Sequence, residues 1–170
     1  MSNIAYMTIK GATQGDISAD ATTADSIGNL WQEGKESTCL VYAFEQNAVV
    51  PRDPQSGTVI AARRHMPTTF QKPVDKATAL LWQALATGEA LEIEVHFWRT
   101  ATTGVQEHYY TIKYEDAVLV DGKTMIKDVN DEANASRGDL DEFSFTYRKC
   151  EWTHEVAGTS ASDDYRAPVT

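Results

Sequence analysis

The sequence predicts a mainly β protein, a single β-barrel or sandwich with one short helix. The chain has 170 residues, 42% of them apolar, which suits one domain with a sizeable core. Residues 91–98 alternate between apolar and polar side chains, as a half-buried strand does. Only residues 75–87 show convincing helical spacing. So short a helix must lie against a sheet to bury its apolar stripe.

The predicted helix spans about residues 75–87. Asp75 is a suitable N-cap, because its carboxylate can accept the free amide hydrogens of the first turn. Gly88 supplies the left-handed residue that ends a helix. Trp82 falls on the flank of the apolar stripe, and two interpretations have equal weight. It either packs under a neighbouring loop or anchors a subunit interface.

Strands are predicted along the rest of the chain. Cys39–Phe44 is apolar enough for a strand that is buried on both faces. Asp121-Gly122 indicates a turn. The apolar parity changes between Tyr147 and Cys150, which predicts a bulge or bend near Arg148-Lys149. The remaining predicted strands are 6–9, 91–98, 108–114, 117–120 and 143–147.

The segment between Val49 and Ile60 combines two prolines and a glycine with apolar residues at both ends. Proline interrupts a central strand, so a protruding and partly apolar loop is expected, and such loops usually contact a partner. No linker divides the chain. We expect one domain over 1–155 and a C-terminal tail over 156–170 that is flexible or docked on a neighbouring molecule.

The acidic composition excludes several classes of partner. The formal net charge of -10 and the pI near 4.8 argue against nucleic acid and against an anionic membrane surface. The N-terminus lacks the basic start and apolar run of a signal peptide, and no apolar run is long enough to insert in a membrane. Cys39 and Cys150 are interpreted as free thiols in a protein that folds in the cytoplasm.

No motif predicts catalysis, a metal or a cofactor. The four histidines, His65, His96, His108 and His154, lack metal-ligand spacing. The acidic series beginning at Asp128 is a poor calcium loop, since Ala133 stands where glycine is needed.

Charged and aromatic residues instead suggest surfaces. Arg63, Arg64 and His65 form a basic cluster in an acidic chain, and a salt-bridged subunit interface is favoured over an anion site. Trp98 raises the same interface question as Trp82. Three polar residues share a strand face with Trp98: Glu92, Glu94 and His96. For His96, a solvated or cross-strand pair is the favoured interpretation.

Several blocks together resemble the haemolysin-coregulated protein family, the tube subunits of bacterial type VI secretion. Their order and spacing cover nearly the whole chain. The blocks are Pro51-Arg52-Asp53-Pro54-Gln55-Ser56-Gly57, Arg64-x-x-Pro67, Phe70-x-Lys72-x-x-Asp75-Lys76, Leu85-x-x-Gly88, Phe143 to Trp152, and Ser162 to Pro168. Cys150 and Tyr165 depart from the aliphatic residue and the Trp expected in the family, but both keep apolar bulk.

The resemblance implies a small β-barrel of two packed antiparallel sheets, assembled in rings of six that stack into a tube. A contractile sheath would surround the tube, a spike would sit at its tip, and small effector proteins would ride in its lumen. The protein would be cytoplasmic before firing and would then be secreted without a signal peptide. The resemblance assigns ring stacking to a set of loop residues. They are Val50, Pro51, Arg52, Asp53, Gln55, Ser56 and Val59.

The Glu92/Glu94/His96 face is one candidate for the lumen wall. Two other functions stay open. A tail-tube protein of a phage-like contractile particle would share the architecture. A monomeric β-barrel ligand-binding protein would need an apolar cavity inside the barrel, which the large inward side chains of residues 91–97 and 143–147 could fill.

Overall fold

The computed structural model describes residues 3–136 and 138–165 as two antiparallel β-sheets with two helices. The strands are β1 Ile4–Gly11, β2 Gly15–Asp16, β3 Cys39–Val41, β4 Ala43–Glu45, β5 Ala48–Val49, β6 Arg64–His65, β7 Thr68–Pro73, β8 Leu91–Thr100, β9 Gln106–Met125, β10 Leu140–Thr146, β11 Lys149–His154 and β12 Thr159–Asp164. The helices are α1 Ala24–Ile27 and α2 Thr78–Thr87, and 3-10 turns occur at Gly28–Leu30 and Glu132–Asn134.

Strand β9 belongs to both sheets. Its first half pairs with β8 and β11 in the first sheet, which also contains β1, β2, β3 and β12. Its second half pairs with β10 in the second sheet, which continues through β7 to β4. Asp116 has a φ of 51° where the strand passes from one sheet to the other.

The prediction of a mainly β fold with two packed antiparallel sheets is confirmed. Two details differ. The described strands do not close into a barrel, because β4 and β12 remain sheet edges. The four-residue helix α1 precedes the predicted one. Within the described residues, no helix is long and apolar enough to cross a membrane.

The core lies between the sheets and under α2. Strand β8 buries Leu91, Ile93 and Val95, the inward residues of the predicted alternation. The second sheet contributes a group of rings in which Phe70 and Phe143 stack with centroids 6.0 Å apart. Because these side chains fill the space between the sheets, the interior is a packed core.

Helix α2 begins at Thr78, three residues after the predicted start. Asp75 still accepts a hydrogen bond from the Ala77 amide at 2.9 Å, but Asp75 and Lys76 precede the helix in a turn. The reason is Lys72, whose ammonium lies 2.8 Å from the Asp75 carboxylate and holds it against β7. The helix ends as predicted, with Gly88 in the left-handed conformation at φ 67°.

The prediction that Cys39–Phe44 is one strand buried on both faces is wrong. Cys39 and Val41 face the core in β3, whereas Tyr42 is exposed. Tyr42 donates its amide to Gln71 at 2.8 Å, and β4 continues in the second sheet. The apolar run therefore forms two short strands, β3 in the first sheet and β4 in the second, and β3 buries only one of its faces.

The turn predicted at Asp121-Gly122 is absent, because both residues lie inside β9. Glycine is required there by a close approach, since a Cβ on Gly122 would lie 2.9 Å from Phe143 Cε1 and 3.1 Å from Leu85 Cδ2. The turn prediction is wrong because this glycine marks a close packing contact inside a strand.

The bend predicted near Arg148 is confirmed, since the chain leaves the second sheet after β10 and enters the first sheet at β11. Part of the segment predicted as a tail is a strand, and docking of the tail on a neighbouring molecule stays a prediction. Thr159–Asp164 forms β12, which pairs antiparallel with β11 of the same chain. The rest of the predicted tail after Tyr165 lies outside the described residues.

Candidate assembly surfaces

Residues 48–65 form a two-stranded arm that stands apart from both sheets. Ala48 pairs with His65 and Val49 pairs with Arg64 at its base. Further out, Arg52 and Val59 form an isolated bridge. The predicted protruding loop is thus a hairpin with backbone hydrogen bonds along its length, so its tip is held at a defined position relative to its base.

Asp53 organises the tip of the arm. Its carboxylate accepts hydrogen bonds from the Gln55 amide at 2.9 Å and the Ser56 hydroxyl at 3.1 Å. These bonds hold the pKa of Asp53 below its usual range. Gly57 has φ 72°, a conformation that favours glycine. Three of the residues assigned to stacking, Asp53, Gln55 and Ser56, therefore shape the turn itself.

Aliphatic side chains on the arm are uncovered. Val59 and Ile60 are 64% and 65% exposed, and Val49 and Val50 are also exposed. Arg52 is exposed and has no side-chain hydrogen bond or ion pair within the described residues. Neighbouring uncovered aliphatic side chains on one projecting hairpin are typical of a protein–protein contact. The predicted contact role of Val50, Pro51, Arg52 and Val59 remains a prediction.

The base of the arm is fixed by pairing within the chain. Arg63 forms a bidentate salt bridge to Asp163 of β12. His65 lies 2.8 Å from Asp163 through Nε2 and 2.6 Å from the Tyr147 hydroxyl through Nδ1. Arg64, between them, is exposed. A subunit interface at this cluster stays a prediction, and only Arg64 of the three basic residues is without an ion pair within the described residues.

Trp82 packs on its own subunit. Its ring meets Phe143 edge-on at 5.4 Å between centroids, and its indole N–H donates to Thr124 at 3.2 Å. The side chain still keeps an exposed part. This geometry favours the interpretation in which Trp82 packs against neighbouring residues, and its interface role stays a prediction.

The Glu92/Glu94/His96 face is partly covered by residues 31–36. The Tyr6 hydroxyl donates to Gln32 at 2.5 Å, and Lys35 Nζ lies 3.0 Å from the centroid of the Trp98 ring. Burial lowers the pKa of Lys35. Glu92 remains exposed, whereas Glu94 and His96 are half-buried. Trp98 is thus an internal cation–π partner of Lys35.

Sequence reasoning missed the partners of these residues. It singled out the basic residues at 63–65 without Asp163, and His96 without His108. Asp163 was missed because the Thr/Ser-rich strand around it has no apolar alternation. His108 pairs with His96 only because of a bulge in β9 that the sequence does not signal.

The fold and the arm together define a mainly β protein that carries a projecting two-stranded hairpin with uncovered aliphatic side chains. A family model described as "Type VI secretion system effector, Hcp" matches residues 6–154. The chain is 48% identical over 170 residues to the "Major exported protein" of Pseudomonas aeruginosa, covering 99% of both chains. It belongs to the Hcp family and is a tube subunit of type VI secretion.

Solved structures agree with this assignment. A structure described as "Crystal structure of Hcp protein" matches 98% of this chain and all of its own, with a TM-score of 0.93 and 39% identity. The "Secreted protein Hcp3 from Pseudomonas aeruginosa" matches the same shares of both chains with a TM-score of 0.82 and 42% identity. These names describe exported proteins, and the family is one of structural tube components.

Proposed function

We propose that the chain forms hexameric rings that stack head to tail into the inner tube. The arm would carry the contact between rings, and small effector proteins would occupy the lumen. The exposed aliphatic side chains of the arm are the observation that supports stacking most directly. An interface that closes on itself makes a ring, and one that repeats without closing makes a filament, so the two contacts must use different surfaces.

The arm suits a contact that forms and later separates. It presents exposed aliphatic residues beside Arg52, which has no ion pair within the described part of the chain, and the hairpin is only two strands wide. Small interfaces of this kind are typical of transient contacts. The expected partners of the tube are the contractile sheath around it, the spike at its tip and the effectors inside it. No catalytic, metal-dependent or cofactor-dependent role is part of the proposal.

The lumen wall is proposed to include Glu92, Glu94 and His96. Glu92 is exposed on the face of β8 that points away from the core, as a wall residue must be. Acidic residues there would favour cargo with a basic surface. We also propose that the protein resides in the cytoplasm before firing and leaves the cell through the apparatus.

Native mass tests the ring. Light scattering after size exclusion, with negative-stain images of the peak, should give six subunits and ring-shaped particles. A clean monomer at high concentration would contradict the ring as a property of the chain alone. Copurification with sheath and spike from uninfected cells separates a secretion tube from a phage-like particle.

A further inference from the structure

A bulge in β9 brings two histidines together on the outer face of the first sheet. Phe97 pairs with Tyr110 and Trp98 pairs with His108, so β9 has one extra residue between them. Residues 108 and 111 would face opposite sides of a regular strand, but the Thr111 hydroxyl lies 2.7 Å from His108 Nε2. Bulges often re-aim side chains at functional sites.

The two imidazoles face each other through ring nitrogens. His96 Nδ1 lies 3.2 Å from His108 Nε2, and the ring centroids are 4.8 Å apart. Glu94 lies 3.5 Å from the other nitrogen of His96, and Trp98 stacks on His108 at 5.3 Å. A carboxylate on the far nitrogen orients a metal-binding histidine and increases its basicity, and stacking holds the second ring in place.

We propose that His96 Nδ1 and His108 Nε2 chelate a divalent transition-metal ion such as Zn²⁺, Ni²⁺ or Cu²⁺. Two nitrogens bound at about 2.0–2.1 Å in a tetrahedral arrangement lie roughly 3.4 Å apart, close to the observed separation. The ion would take the place of the hydrogen bond between the two rings, and the Thr111 hydroxyl would release His108 Nε2. Each neutral imidazole would keep its one N–H on the nitrogen that does not bind the ion, His96 on Nε2 beside Glu94 and His108 on Nδ1, so no net proton is released.

The site would keep open coordination positions. The described residues bring no group of three or more His, Cys, Asp or Glu side chains together as ligands, so two imidazoles form the protein's share. Glu155 approaches the pair through Thr111. It accepts a hydrogen bond from Thr111 at 2.8 Å, and Thr111 contacts His108. Water or a group from a bound protein would complete the coordination.

The ligand chemistry selects the class of metal. Imidazole nitrogens suit Cu²⁺, Ni²⁺ and Zn²⁺, whereas Mg²⁺ and Ca²⁺ require oxygen ligands. Lys35 lies on the same face, above Trp98, and its charge opposes binding of any cation. A cation that binds there must therefore obtain its binding free energy from coordination by the imidazole nitrogens. Both histidines belong to one subunit, so the site does not depend on the proposed ring.

The test is calorimetric titration of the untagged chain with NiCl₂, compared with His96→Gln, His108→Gln and His154→Gln. His154 is the matched control, because its Nδ1 accepts a hydrogen bond from the Ala157 amide and it lies outside the pair. We expect one ion per chain, at least tenfold weaker binding in the first two variants and unchanged binding in the control. Equal binding in all four proteins, or equally tight binding of Mg²⁺, would overturn the proposal.

A second measurement on the unmodified protein covers the case in which a variant misfolds. Electron paramagnetic resonance of the chain with one equivalent of Cu²⁺ should show coupling to two imidazole nitrogens. A spectrum with one nitrogen or none would overturn chelation by the pair, whatever the titrations give.

Discussion

Lys72 Nζ lies 3.1 Å from Asp141 Oδ2, and both residues are fully buried. The same ammonium lies 2.8 Å from Asp75, so one cation serves two carboxylates beneath the start of α2. Burial raises the pKa of Asp75, against the opposing effect of Lys72. One Asp75 oxygen, Oδ2, has no hydrogen-bond partner among the residues that the structure describes. The network fixes α2 to β7 and β10 and depends on its one ammonium.

Replacing Lys72 should therefore lower the stability of the protein strongly. Lys72→Met leaves Asp75 and Asp141 buried without a cation, and removing one partner of a buried ion pair costs about 3–5 kcal/mol. Lys76→Met is the matched control, because its pair with Asp20 is largely exposed and worth about 0–1 kcal/mol. Urea unfolding measures both free energies of unfolding. Equal losses of unfolding free energy in the two variants would show that the buried ion pairs of Lys72 contribute no more to stability than an exposed pair.

Gly122 tests the packing of β9 against α2. Gly122→Ala places a methyl group against Phe143 and Leu85, and overpacking of this kind costs about 1–3 kcal/mol. Gly138→Ala is the control, because a Cβ there meets no atom within 4 Å. Thermal unfolding should show a lowered midpoint for the first variant alone. A Gly122→Ala protein as stable as the control would mean that this close contact is not what requires glycine at position 122.

Sequence reasoning succeeded where one element determines its own pattern. Strand β8 alternates because one side faces the core, and that alternation is visible without knowing its neighbours. The end of α2 at Gly88 is similarly local, since it requires only a residue that tolerates a left-handed conformation.

Sequence reasoning failed where the structure of a segment depends on a residue far away in the sequence. Strand β12 has no buried apolar side, and the ladder with β11 and the Arg63–Asp163 salt bridge hold it. The start of α2 moved because Lys72, on another element, binds Asp75. The His96–His108 pair needs a bulge, and pairing register depends on both strands. Such features become visible only when the strands are placed together.

The exposed aliphatic residues of the arm predict how stacking can be weakened. Val59→Ser with Ile60→Ser removes apolar surface that stacking would bury, at about 1.5–3 kcal/mol per fully buried side chain. The concentration needed for filament growth should rise at least tenfold, since each 1.4 kcal/mol is about a tenfold change in affinity. Sedimentation of filaments measures it, and ring mass should not change.

The control for the arm is a pair of aliphatic residues elsewhere that are at least as exposed. Ile126 and Val129 are 71% and 84% exposed and lie outside the arm. Ile126→Ser with Val129→Ser should leave filament growth unchanged.

Arg52→Glu should weaken filament growth with the ring intact, whereas Asp53→Lys should also disturb the hydrogen bonds at the tip. Loss of the folded ring in the Arg52 variant would count against a stacking role.

Acid should release β12 from the base of the arm. The Arg63 guanidinium, with His65 beside it, holds the pKa of Asp163 below its usual range. A carboxylate whose pKa is lower in the folded state stabilises it fully above the unfolded pKa of about 3.9. That contribution is lost as the pH falls through the folded pKa. Asp163→Asn should thus be less stable than wild type at pH 6 and lose less stability on acidification.

Urea unfolding between pH 6 and pH 2.5 measures this difference, and amide exchange locates it. Protection along the β11–β12 ladder should fall in Asp163→Asn at pH 6, because Asp163 is the residue through which Arg63 and His65 hold β12. Asp121→Asn is the control, since Asp121 is exposed and its side chain has no hydrogen-bond partner within the described residues. Its stability should follow the wild-type pH curve. If the Asp163→Asn curve also runs parallel to wild type, the salt bridge does not couple the tail to the arm.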